Sequence, residues 1–72
     1  MRHGLRLRRF SPIDRNYPIY EVLDGRDILL SIARTDAGDY ELWFNPVSTG
    51  RVLPLESVTQ LIAEAKRLLT EE

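Results

Sequence analysis

The stretch Asp27 to Phe44, DILLSIARTDAGDYELWF, restricts the fold more than any other part of the chain. It reads as two β-rich runs separated by turn residues, the pattern of a β-hairpin. Side chains on a strand alternate faces with a period of two, so the apolar residues of paired strands must agree in parity. A two-residue loop at Asp36-Ala37 sets Ile32 opposite Glu41. A three-residue loop, Asp36-Ala37-Gly38, sets Ile32 opposite Leu42 and Leu30 opposite Phe44. It also puts Gly38 at the last loop position, where a left-handed backbone is required and glycine adopts it without steric cost.

The same parity carries upstream. Ile19 to Leu23 favours a strand, and Asp24-Gly25 is a turn signal. An odd loop here sets Tyr20 and Val22 on one face with Ile28 and Leu30. Ile19 and Leu23 then join Leu29, Ala33 and Trp43 on the other. Downstream, Asn45-Pro46 ends the third strand, because proline has no N–H for the ladder. Val47 to Leu53 reads as a loop. After Pro54, the residues Val58, Leu61, Ile62, Ala65, Leu68 and Leu69 recur at spacings of three and four, which is one helical stripe. Ser57 is the expected N-cap, with Gln60 as its capping-box partner. Glu71 and Glu72 oppose the helix dipole, so the last turn is expected to fray.

The predicted fold class is therefore α+β: a three-stranded antiparallel meander and one C-terminal amphipathic helix, βββα, over residues 19–72. The helix is expected to cover the face of Tyr20, Val22, Ile28, Leu30, Ile32, Tyr40, Leu42 and Phe44. Residues 1–18 read as a basic N-terminal arm, irregular or with a short edge strand at 5–10, where Leu5 and Leu7 alternate with Arg6 and Arg8.

Size and composition exclude several functions. With 72 residues the chain holds one domain and hides only about 60% of its unfolded surface. Cysteine is absent and His3 is the sole histidine. Disulfides and His/Cys zinc sites are thereby excluded. Nothing matches a phosphate loop or dinucleotide fingerprint, and no cofactor is expected. The serines lack a neighbouring base, and Asp36, Asp39 and Glu41 flank a tight turn, where aspartate bonds the local backbone. Catalysis is not expected. Neither Asp24 with Asp27 nor Asp36 with Asp39 extends into the spacing of a calcium cage. No apolar run spans a bilayer, and the basic start lacks the apolar stretch of a secretory signal. Residues 1–13 share the Arg-rich, acid-poor bias of a transit peptide without its usual length or serine content. A cytoplasmic location is expected.

Charge is unevenly placed. Residues 1–9 carry Arg2, Arg6, Arg8 and Arg9 and no acid, whereas the remainder carries six basic and eleven acidic side chains. Such an arm suits phosphates, and a nucleic-acid-associated role through these four arginines is the alternative function. The sequence pI near 5.8 opposes it, since dedicated binders present a basic surface.

The greasy second face carries the principal expectation. Tryptophan is enriched at interface hot spots, and here it shares a face with aliphatic side chains. Ile19, Leu23, Leu29, Ala33 and Trp43 are the expected partner-binding residues of a small non-enzymatic interaction protein. Its class would be regulator, inhibitor or toxin-neutralising protein. The face has three candidate covers: the arm's own Leu5, Leu7, Phe10 and Ile13, a second copy in a homodimer, or a different protein, to which the acidic body would suit a basic partner.

Overall fold

In the computed structural model, which describes residues 4–72, four antiparallel strands pair in chain order. They are β1 (Leu5–Phe10), β2 (Ile19–Asp24), β3 (Asp27–Arg34) and β4 (Tyr40–Phe44). A 3-10 turn, Pro46–Ser48, leads towards the helix α1, Leu55–Glu71. The α+β class and the single amphipathic helix stand as expected, but the sheet has four strands rather than three. The added strand is β1, at the residues where leucine and arginine alternate. Leu7 lies opposite Val22 and Arg8 opposite Glu21, so Leu5 and Leu7 fall on the helix side and pack against the core. Burial of both leucines, together with the open edge of β2, draws this segment into the sheet.

The β3–β4 hairpin has the expected register, with Leu30 opposite Phe44 and Ile32 opposite Leu42. The Thr35 N–H donates to the Asp39 carbonyl at 2.8 Å, the Gly38 N–H donates to the Thr35 carbonyl at 3.0 Å, and Gly38 has φ +94°. The left-handed glycine closes the three-residue loop.

The β2–β3 hairpin corrects the sequence reading. Asp24 pairs with Asp27, so the loop is the two residues Gly25-Arg26, and Gly25 has φ +62°. The odd residue lies inside β3. Leu23 pairs with Ile28 but Val22 pairs with Leu30, leaving Leu29 as the extra residue of a β-bulge. Two neighbouring residues of a bulged strand oppose one residue of the partner, and the alternation slips there by one. Leu29 therefore joins Leu30 in the helix-side core, fully buried. Ile28 turns to the second face. Both assignments are the reverse of the expected ones.

The core lies between α1 and the sheet. Tyr20, Val22, Leu29, Leu30 and Ile32 meet Ala65 and Leu69, with Val58, Leu61, Ile62 and Leu68 packed around them. The helix lies over β1, β2 and β3. Leu42 and Phe44 point to the helix side of β4 but are 44% and 67% exposed. They were expected under the helix, but one helix is too narrow to roof four strands.

Both helix ends also differ from expectation. Pro54 occupies the N-cap with no side-chain bond, and Ser57 lies inside the first turn. Proline's fixed φ suits a helix entrance, and Leu53 beside it packs on the core, so tertiary packing sets the start. At the other end, helical structure continues to Glu71 because the anions find cations. Arg67 donates to Glu64 at 2.6 Å and to Glu71 at 2.7 Å. Arg9 of β1 donates to Glu72 Oε1 at 3.3 Å, and the Tyr20 hydroxyl donates to Oε2 at 3.2 Å. Arg34 donates to the Leu69 carbonyl in the last turn at 3.2 Å, beside the Glu72 N–H, which donates to the same carbonyl at 3.3 Å.

Leu30→Ala and Leu69→Ala should each lower stability by about 2–5 kcal/mol, the range for buried leucines, read as a shift in urea midpoint. The bulge adds a sharper comparison. Leu29→Asp should unfold the protein while Ile28→Asp leaves it folded, and equal damage from the two would contradict the bulge.

The hydrogen bond from Arg9 holds the Glu72 carboxyl below its ordinary value. Arg67 does the same for Glu64. Burial, then the bond to Glu72, raises the Tyr20 phenol. A depressed carboxyl contributes stability above its unfolded pKa and loses it as pH falls through the folded one. A raised phenol contributes below its unfolded pKa and loses it as pH rises through the folded one. Stability should thus fall at pH below about 4 and again above about 10. Glu72→Gln should reduce the acid limb, leaving the share that Glu64 contributes, and lessen the alkaline limb only in part, because the burial of Tyr20 remains, in urea titrations across pH.

Candidate functional site

Strand register arranges the second face in rows. Arg8, Glu21, Ser31 and Trp43 stand side by side across all four strands. One flanking row holds Phe10, Ile19, Ala33 and Glu41, and the other holds Arg6, Leu23 and Ile28. Beyond β4 the chain turns onto this face. The Asn45 N–H donates to the carbonyl of the bulged Leu29 at 2.9 Å, and the 3-10 turn then packs beside β3. Arg51 fastens the following segment by ion pairs to Asp24, at 3.4 Å, and to Asp27.

The result is an open hollow of about 490 Å³. Phe10, Ile19, Ile28, Trp43 and Val47 give it apolar sides, and the buried Glu21 and Ser31 lie at its base. Glu21 is an acid in an otherwise apolar strand, and Arg8 accounts for it. Arg8 Nε and Nη2 both donate to Glu21 Oε1, at 3.0 and 2.5 Å. Among the described residues no hydrogen bond reaches Glu21 Oε2. Asn45 Nδ2 approaches Ser31 Oγ at 3.5 Å. A neutralised acceptor beside a hydroxyl, ringed by aromatic and aliphatic carbon, suits an apolar group that brings a hydrogen-bond donor.

Of the residues expected here, Trp43 and Ile19 are half-buried and line the hollow. Leu23 and Ala33 belong to this face but are fully buried, so they support it from within. Leu29 lies on the helix side, removed by the bulge. Of the expected lid residues only Phe10 borders the hollow. Leu5 and Leu7 are under the helix, and Ile13 is fully exposed. Glu21, Ser31, Ile28 and Val47 were missed. An acid inside the run IYEVLD was the available signal for Glu21.

The arginines do not share a surface. Arg6 and Arg8 lie on the second face and Arg9 on the helix side. Arg6 donates to the Gly25 carbonyl at 3.4 Å, Arg8 holds Glu21, and Arg9 holds Glu72. Arg2 and His3 lie outside the described residues. Among the described residues no cluster of three or more metal-ligating side chains is present, and no helix is long and apolar enough to cross a membrane. Comparison with family models, curated proteins and solved structures finds no match to this chain.

Removing Arg8 leaves the Glu21 carboxylate low on the face without its counter-charge, which is costlier than losing the pair. Arg8→Ala should destabilise by about 1–2 kcal/mol, discounted because Arg8 is itself half exposed. Adding Glu21→Gln should recover part of the loss. A double-mutant cycle by urea unfolding with no coupling between the two positions would contradict the pairing.

Proposed function

We propose that this chain is a small protein-binding module that acts by occupancy, as regulators and inhibitors do, rather than by catalysis. Its contact surface is the second sheet face around Trp43 and Ile19. The observation that supports this reading is the hollow: a half-buried tryptophan beside a concave apolar wall. Tryptophan anchors at such positions carry much of the binding energy in protein interfaces. The hollow selects an apolar side chain of the partner, and Glu21 Oε2 and Ser31 Oγ accept from a donor beside it.

Trp43 is the sole tryptophan, so its fluorescence reports this face directly. A partner isolated by affinity capture and then purified should shift Trp43 emission to the blue on binding. Trp43→Ala should weaken that binding by about 2 kcal/mol or more, the level that defines a hot spot, while circular dichroism of the free protein stays that of the folded state. Binding by Trp43→Ala at wild-type strength would remove the proposal.

A further inference from the structure

We infer that β4 pairs with β4 of a second copy of this chain, joining two sheets edge to edge about a two-fold axis at Leu42. The open edge of the sheet, not the second face, makes this contact.

The backbone directions are fixed by hydrogen bonds already described. The Asp39 carbonyl accepts from Thr35, and the Asn45 N–H donates to Leu29. Both residues therefore turn their backbone groups towards β3, and so do Glu41 and Trp43 between them, because the direction alternates along an antiparallel ladder. Tyr40, Leu42 and Phe44 accordingly turn N–H and C=O away from β3, to the open edge. These same residues carry their side chains on the helix side, where α1 leaves Leu42 and Phe44 exposed. Open backbone and open apolar side chains thus coincide.

The two edges of the sheet are treated differently. β1 carries Arg6, Arg8 and Arg9, charges of the kind that guard an edge against pairing. β4, YELWF, has one charge, Glu41, and neither lysine nor proline.

A second copy fits this edge in one register better than in its neighbours. With Leu42 opposite Leu42 of the copy, Tyr40 meets Phe44 in both directions. Every outward N–H and C=O of the strand then finds a partner. Glu41 lies opposite Trp43 of the copy, so no like charges face one another. Moving the axis to Glu41 sets two carboxylates directly opposite, which is destabilising. Moving it to Trp43 sets Tyr40 opposite Pro46, which has no N–H to give. The Leu42 register also stacks Leu42 on its copy and Tyr40 on Phe44, covering side chains that the helix leaves open.

The absence of native cysteine makes a direct test clean. In this register the two Leu42 residues form a hydrogen-bonded pair with Cα atoms about 5.5 Å apart, inside the span a disulfide bridges. Light scattering on the full chain should show a dimer. Mild oxidation should link Leu42→Cys rapidly into a dimer and leave Phe44→Cys, which faces position 40 of the copy, largely unlinked. Leu42→Lys should shift the mass to monomer while circular dichroism stays that of the folded protein. A wild-type monomer up to about millimolar concentration, the affinity scale of a weak contact, would overturn the inference. So would a dimer in which Trp43→Cys links faster than Leu42→Cys, or one whose mass Leu42→Lys does not change. Loss of partner binding in Trp43→Ala without a change of mass would leave the edge pairing standing, so the two readings fail separately.

Discussion

The extra residue at Leu29 governs both faces of this sheet. Without it, strict alternation along β3 would send Ile28 under the helix and Leu29 to the opposite side. With it, Leu29 and Leu30 sit together in the core, and Ile28 becomes part of the hollow. The bulged carbonyl also accepts the Asn45 N–H. That bond carries the chain past the end of β4, and the 3-10 turn then lies against the second face. A bulge bends its strand and re-aims its side chains. Here the same residue fills the core and fixes where the hollow's far wall begins.

A domain of this size has a thin stability margin, and the structure shows where support is gathered. One helix closes over three strands, and its last turn is held by side chains from β1, β2, β3 and β4: Arg9, Tyr20, Arg34 and Tyr40. Arg51 holds the tip of the β2–β3 hairpin in the same manner at the other end. Individually, exposed ion pairs contribute little. Their placement matters more, since each joins segments distant in sequence and limits fraying at an end of the sheet or helix.

The hairpin of β3 and β4 was legible because loop length, glycine position and apolar parity all agreed on one register. The helix stripe was legible for the same kind of reason, its period being repeated over several turns. Parity alone could not distinguish an odd residue in the Asp24-Gly25 loop from an odd residue inside β3, because both restore the alternation. That single ambiguity moved Leu29 and Ile28 to the wrong faces. Ser57 reads as a cap on local chemistry, but the packing of Leu53 against the core carries the helix start back to Pro54. The pairing of Arg8 with Glu21 depends on β1 joining β2. Thirteen sequence positions separate them, and no local pattern connects an arginine in a basic arm with an acid in an apolar strand.

The basic arm and the acidic body need no polyanionic ligand to balance them. Once β1 is in the sheet, Arg8 and Arg9 project to opposite sides, and each meets a carboxylate of the chain itself. The uneven charge of the sequence becomes local neutralisation in the fold. At β4 the fold leaves Leu42 and Phe44 exposed on the helix side, the half-buried Trp43 on the other face, and the backbone edge between them. A strand that exposes carbon on both sides and unpaired amides along its edge is poorly adapted to solvent. The arginines of β1 show the chain protecting one edge by charge, and the near-absence of charge on β4 marks the other as the edge that takes a partner.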